Sequence, residues 1–282
     1  MSFYYFCCIA NQKKPPVFTM EELKKAIAKL KKRKSPGRDG LPAEIFLNAG
    51  DGLLKALLKV FNAIKKSKKI PRQWDQMLIT TIYKNKGSKK ELVNYRGIFL
   101  TLIIKKIFEN LLKGRMGEEL AKVNLHQAGS RSNRSPPDNL FLLYACIDHQ
   151  RYKGKPLFMT AYDFEQAFDG LWIQDCIVSM WRLGVPTDIL QLVYNLNKHA
   201  EISINSPYGP TKDIVVNDIV EQGTVLGSNL CSTSTAEYCE TNKGIAVGDA
   251  IVSSLMFVDD TFDVSTTTED VEESHINAVI NW

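Results

Sequence analysis

Histidine is scarce in this chain, with four residues in 282, and its six cysteines (7, 8, 146, 176, 231 and 239) form no Cys-x-x-Cys pair. Zinc ligands arrive in close pairs, so these absences argue against a zinc site. No apolar stretch reaches the roughly 18 residues of a membrane-spanning helix. Residues 1–10 are apolar but shorter than that, and they lack the basic flank of a secretory signal. They are expected to be an unstructured leader, followed by a linker to residue 18. An intracellular, non-secreted protein with reduced, buried thiols and no membrane association is the corresponding expectation. No internal repeat or long low-complexity tract occurs. Acidic residues are sparse in the first half: residues 1–134 hold 29 Lys and Arg against 10 Asp and Glu, a net of +19. From residue 135 onward the balance reverses to 7 against 21, a net of −14. A basic half joined to an acidic half suits a polyanion-gripping element beside a cation-binding one, although solvated helix faces of opposite sign give the same totals.

The local pattern reads as α+β, with helices and strands in mixed order. Thr19-Met20-Glu21-Glu22 is a capping box, and Leu23, Ile27 and Leu30 predict a helix to about residue 32. Ser35-Pro36-Gly37-Arg38-Asp39-Gly40 breaks it. Further helices are expected over 43–66, 100–120, 139–150, 173–183 and 225–240, with a last one from about 268. Strands are expected over 77–83 and 157–162. Residues 201–205 and 213–220 should pair as a hairpin, and 251–258 should pair with 261–264.

Several motifs carry chemistry, each weak by itself. Tyr162-Asp163-Phe164 ends an apolar strand on a carboxylate, with Phe168 close behind. Phe257-Val258-Asp259-Asp260 sets two more carboxylates in a tight turn. Adjacent acids repel, and a bound cation relieves them. Hard cations such as Mg²⁺ take oxygen ligands, and two of them form a clamp for phosphoryl transfer. Gln222-Gly223 occupies a strand-to-helix junction where a glycine admits close backbone approach. Asn94-Tyr95-Arg96-Gly97-Ile98, preceded by Lys84, presents cations suited to phosphate oxygens. The loops around Lys34 and Arg38, and around Gln127, Arg131 and Arg134, are basic and suit a template strand. The plainer alternatives are turn acids, core aromatics, a loop glycine and ordinary surface charge.

Taken in order, Lys34-Ser35-Pro36-Gly37-Arg38-Asp39-Gly40, Asn94-Tyr95-Arg96-Gly97-Ile98, Gln127-Ala128-Gly129, Asp163 through Ala167-Phe168-Asp169, Gln222-Gly223 through Leu226-Gly227, and Asp259-Asp260 make the chain resemble the reverse transcriptase domain of non-LTR (LINE-type) retrotransposons. The resemblance covers about residues 34 to 270. It implies a right-hand polymerase, with fingers over 19–156 and a palm over 157–282 whose antiparallel sheet is backed by helices. On this resemblance the thumb is expected to be absent and the palm incomplete at its C-terminal side. It implies RNA-directed DNA polymerase activity: attack of a primer 3′-OH on the α-phosphate of a dNTP. Asp163, Asp259 and Asp260 would be the catalytic acids holding two Mg²⁺ ions, with Mn²⁺ able to substitute, and Phe164 would add a backbone carbonyl. Lys84, Arg96, Phe168, Gln222 and Gly223 would bind the nucleotide, Phe168 excluding a ribose 2′-OH. Lys34, Arg38, Arg131 and Arg134 would hold the template. The implied partners are an RNA template, a DNA primer and dNTPs, with thumb and endonuclease domains encoded elsewhere in the element or lost.

Some positions depart from that pattern: Gln166, Ser130, Ser228-Asn229, and Glu221 where a basic or neutral residue is common. None removes a metal ligand. The rival expectation is a catalytically silent, truncated nucleic-acid-binding relic, and a remoter one is an Asp-rich phosphohydrolase.

Overall fold

The computed structural model describes residues 16–120, 127–129, 133–163, 170–206, 208–218, 220–221, 223–234, 238, 242–258 and 260–281. The N-terminal portion is helical. Helix α1 (Met20–Ala28) starts with the expected capping box, the Thr19 hydroxyl accepting from the Glu22 amide and the Glu22 carboxylate from the Thr19 amide. It stops at Ala28, short of the expected residue 32. The segment beyond it, Lys29 through Lys34, is almost wholly cationic, and like charges one turn apart disfavour a helix.

The helix expected over 43–66 is two helices, α2 (Ala43–Leu47) and α3 (Asp51–Ser67). The backbone leaves helical geometry at Asn48 (φ −105°, ψ 20°), whose side chain donates to the Glu44 carbonyl. Gly50 then caps α3. The helix expected over 100–120 begins later, as α4 (Ile103–Arg115), followed by α5 (Gly117–Leu120). The residues before it extend strand β2 to Leu100.

Strands β1 (Gln76–Tyr83) and β2 (Tyr95–Leu100) form an antiparallel hairpin, with Ile82 opposite Arg96. On its other edge β1 pairs in parallel with β4 (His199–Ser206), which in turn pairs with β5 (Gly209–Pro210) and β6 (Ile214–Asn217). A second, antiparallel sheet has the order β3 (Phe158–Tyr162), β10 (Asp260–Ser265), β9 (Ser254–Phe257). The strand expected over 251–258 is interrupted at Ser253. Its first part, β8 (Ala250–Val252), turns back to pair with β7 (Ile245–Val247), a hairpin the sequence reading missed. Helices α6 (Pro136–Tyr152), α7 (Ile173–Arg182), α8 (Thr187–Asn197), α9 (Gly227–Ser234) and α10 (Thr268–Asn281) complete the described residues. Helix α6 starts earlier than expected because Ser135 and Asp138 form a second capping box. Helix α8 was not expected.

The main core joins α1, α3, α4, α7 and α8. At its centre Phe108 packs against Phe18, Phe61 and Trp74, at ring separations of 5.9, 5.4 and 5.4 Å. A smaller core of Cys146, Ile245, Val252, Leu255 and Val264 lies between α6 and the three-stranded sheet. Cys146, Cys176 and Cys231 are buried. No helix among the described residues is long and apolar enough to cross a membrane.

Candidate active site

The three-stranded sheet ends in acids. In the β3–β10 pairing Tyr162 is opposite Thr261. The next residue beyond this pair is Asp163 on one chain segment and Asp260 on the other, and both are exposed. Exposed carboxylates at the same end of a sheet suit hard, oxygen-seeking divalent cations. No Lys or Arg pairs with Asp163 among the described residues. No group of three or more metal-ligating side chains gathers among them either, and the third expected acid, Asp259, lies outside them.

Alternation along β10 gives the sheet an open and a closed face. Asp260 and Phe262 are exposed, whereas Thr261 and Asp263 are 0% and 2% exposed. On the closed face Asp263 accepts hydrogen bonds from Tyr238, Ser274 and Asn242. Burial pushes the Asp263 carboxyl above the usual carboxylate range, against the pull of Ser254, Ser274 and Tyr238. This network fastens the acid-bearing strand to α10.

The β9–β10 connection is strained. Phe257 pairs with Asp260, so Val258 and Asp259 are the two linking residues. Val258 has φ +64°. A positive φ at this position suits the twist of a two-residue hairpin, but in a β-branched residue it costs about 1–3 kcal/mol. Against the connection lies Gln127, which is fully buried.

The cations gather elsewhere, in a cleft of about 1010 Å³ whose lining includes Lys34, Lys84, Arg96, Lys106 and Gly223 and, among the described residues, no acidic one. Arg96 comes from β2, and Lys84 from the start of the link between β1 and β2. That link is tied to itself: Lys84 donates to the Val93 carbonyl, Tyr83 to that of Gly87 and Tyr95 to that of Lys89. Lys106 was not singled out from sequence. It projects from α4, and burial pulls its ammonium below the usual lysine range, partly offset by Glu109. An unmatched, partly dehydrated cation of this kind favours an anionic ligand. Asp163 and Asp260 are not among the residues that line this cleft.

Behind Gly223 (φ +82°) lies a buried charge cluster that the sequence reading also missed. Lys105 Nζ donates to Glu221 Oε1 at 2.6 Å, with both side chains 1% exposed or less. Glu109 Oε2 accepts from the Val225 amide at 2.9 Å. Burial pushes Glu109 up to about 7, against the pull of Lys105. Burial lowers Lys105, but Glu221 and Glu109 outweigh it and hold the ammonium above its ordinary range. The segment carrying Gly223 is thereby anchored to α4 at both ends. Glu221, one of the departures noted in the sequence, has its partner in Lys105.

The remaining expected residues are scattered. Arg38 is paired with Asp213 at 2.8 Å. Arg134 is exposed just ahead of α6. Phe164, Phe168, Gln222 and Arg131 lie outside the described residues, as does Asp259. The Gln127 loop was expected to line a template strand. Its first part, Gln127 to Gly129, packs on the acidic connection.

The family model described as reverse transcriptase (RNA-dependent DNA polymerase) matches residues 83–282. The RNA-directed DNA polymerase from mobile element jockey of Drosophila funebris is 26% identical over 279 residues, covering 94% of this chain and 30% of that protein. Its Drosophila melanogaster counterpart is 27% identical over 252 residues, covering 86% of this chain and 27% of that protein. The probable RNA-directed DNA polymerase from transposon BS of Drosophila melanogaster is 26% identical over 224 residues, or 77% of this chain and 24% of that protein. The chain thus spans less than a third of the length of these relatives.

Proposed function

The chain belongs to the reverse transcriptase (RNA-dependent DNA polymerase) family, and from that premise we propose that it acts as the RNA-directed DNA polymerase domain of a retrotransposon. In this reading residues 19–156 are the fingers and 157–282 the palm. The reaction joins a primer 3′-oxygen to the α-phosphorus of a dNTP as the bond to pyrophosphate breaks, and the hydroxyl proton is lost.

The β3–β10 register, which runs on into Asp163 and Asp260 at one end of the sheet, is the observation that supports the reading. Their exposed carboxylates, with Asp259, would hold two Mg²⁺ ions, and the Phe164 carbonyl would complete the set. When bound, the ions would neutralise charge developing on the α-phosphate and ease loss of the 3′-hydroxyl proton. The chain's own contribution is mostly positioning. Arg96 and Lys106, with Lys84, give the basic cleft the charge to receive a triphosphate. Gly223 and Gln222 would pack beside the new base pair, and Phe168 would exclude a ribose 2′-OH. Lys34, Arg38, Arg131 and Arg134 would track the template.

The test is primer extension on an RNA template with Mg²⁺ or Mn²⁺, beside the Asp163→Asn protein. Incorporation by the native protein and at least a roughly 100-fold loss in the variant are expected, because a carboxylate ligand is removed. Absence of incorporation by native protein shown to be folded overturns the reading and favours a silent nucleic-acid-binding relic.

A further inference from the structure

We propose that Gln127 is a positioning residue: it holds Val258 in its left-handed conformation and thereby sets the direction of the Asp259-Asp260 connection. The catalytic consequence rests on the polymerase reading above, whereas the conformational one does not.

Gln127 meets Val258 on both sides of its backbone. Its Oε1 accepts from the Val258 amide at 2.9 Å, and its Nε2 donates to the Val258 carbonyl at 3.2 Å. A single side-chain amide therefore presents the donor and acceptor that a neighbouring strand would offer. The same Oε1 also accepts from the Gly129 amide at 2.9 Å, which orients the side chain from its own segment. Backbone contacts fix the segment in turn. The Ala128 amide donates to the Met256 carbonyl at 2.8 Å, and Asn139 Nδ2 donates to that carbonyl at 2.9 Å. Gly129 approaches so closely that a Cβ there would come within 2.4 Å of the Val258 nitrogen, so a side chain would push the segment off the connection.

The direction of the effect follows from Val258. A valine relaxes toward negative φ unless its surroundings prevent it. The two part-buried bonds between Gln127 and Val258 are made with Val258 at φ +64°. Loss of the amide leaves a donor and an acceptor unmatched and frees the residue to rotate, and the carboxylates that follow it turn with it.

The experiment uses the native chain, Gln127→Ala, Val258→Gly and the double variant, each checked for folding by thermal melting. Two readouts are taken: hydrogen exchange in the peptide over 256–260, and single-nucleotide incorporation on a primed RNA template. Gln127→Ala should exchange about tenfold faster at that peptide, because local opening replaces a bonded amide. Its kcat should fall by about 10- to 100-fold, with KM for the nucleotide within about threefold, as expected for displaced reacting groups. Glycine adopts positive φ without a Cβ penalty. The kcat loss caused by Gln127→Ala should therefore shrink at least threefold in the Val258→Gly background, by roughly the amount of strain removed. Gln127→Glu keeps the shape and both accepted bonds but loses the donor, so it carries the test if the alanine variant does not fold. Its expected result is faster exchange over 256–260 and a kcat loss, with a lowered melting temperature because an unpaired carboxylate replaces the buried amide. Unchanged exchange over 256–260, a loss confined to KM, or an equal kcat loss in both backgrounds overturns the proposal. If the native chain incorporates nothing, the polymerase reading is what fails, and exchange alone decides: faster in Gln127→Ala supports the clamp, unchanged overturns it.

Discussion

Replacing Lys105 with methionine isolates one buried charge. The Lys105 and Glu221 side chains are 1% and 0% exposed, so neither charge has water to fall back on. Glu109 is also buried, at 1% exposure, and it shares the same ammonium. Methionine removes the cation and leaves two dehydrated carboxyl groups facing each other. Breaking a buried ion pair from one side typically costs about 3–5 kcal/mol. For a chain of this size each kcal/mol lowers the melting temperature by roughly 2–4 °C, so a fall of roughly 6–20 °C is expected near neutral pH. The double change Lys105→Met with Glu221→Met should behave differently. An apolar pair of similar volume is often neutral or stabilising, and Glu221 Oε2 is already buried without a hydrogen-bond partner among the described residues, a defect worth about 1–3 kcal/mol. The double variant should therefore melt well above the single one. Urea and thermal unfolding followed by circular dichroism measure both. Two results would refute the reasoning: a single variant within about 1 kcal/mol of native, the range of an exposed pair, or a double variant no better than the single.

Two further changes test neighbouring groups. Burial raises Glu109 from its ordinary 4.5 to about 7, so the folded state retains a proton that the unfolded chain releases. Its contribution to stability is complete below about pH 4.5 and is lost as pH rises through about 7, amounting to about 3 kcal/mol at most. Unfolding free energies of the native chain and Glu109→Gln, measured from pH 5 to 8, should diverge in favour of the variant as pH rises; a difference that stays flat with pH removes the argument. Arg96→Ala should raise KM for the dNTP about 10- to 100-fold, the loss expected for one or two charge-assisted bonds, with primer–template affinity little changed. Weakened template binding with an unaltered KM would assign Arg96 to nucleic acid instead.

What could be read in advance, and what could not, divides by the range of the interaction. The capping box at Thr19 and the strand ending at Asp163 are local, and both appear as expected. Helix α8 and the β7–β8 hairpin were local too, and their signals were present but missed. Ile189, Leu190, Val193 and Leu196 follow a helical period beyond Pro186, and Gly248-Asp249 is a turn dipeptide. The split between α2 and α3 was harder. The apolar pattern runs through it, while the backbone leaves helical geometry at Asn48 and is extended at Gly50.

The site shows the same division more sharply. The acids were legible as residue types at strand ends, but which end of the sheet each reaches depends on the register of β10 against β3, across about a hundred residues of chain. No periodicity within either strand fixes that register; the buried face does, because a slip of one residue would bring Asp260 and Phe262 into the core and expel Thr261 and Asp263. Gln127 presents the extreme case. In sequence it stands at the head of a basic loop, where a glutamine has no evident task. Its partner is a valine 131 residues away whose backbone conformation is itself unreadable from its identity. Valine is among the residues least suited to positive φ, so sequence logic predicts that Val258 is extended. Only the surrounding bonds reverse that preference. Local rules thus fail at the point where long-range bonds override them, and in this chain that point lies beside the proposed metal ligands.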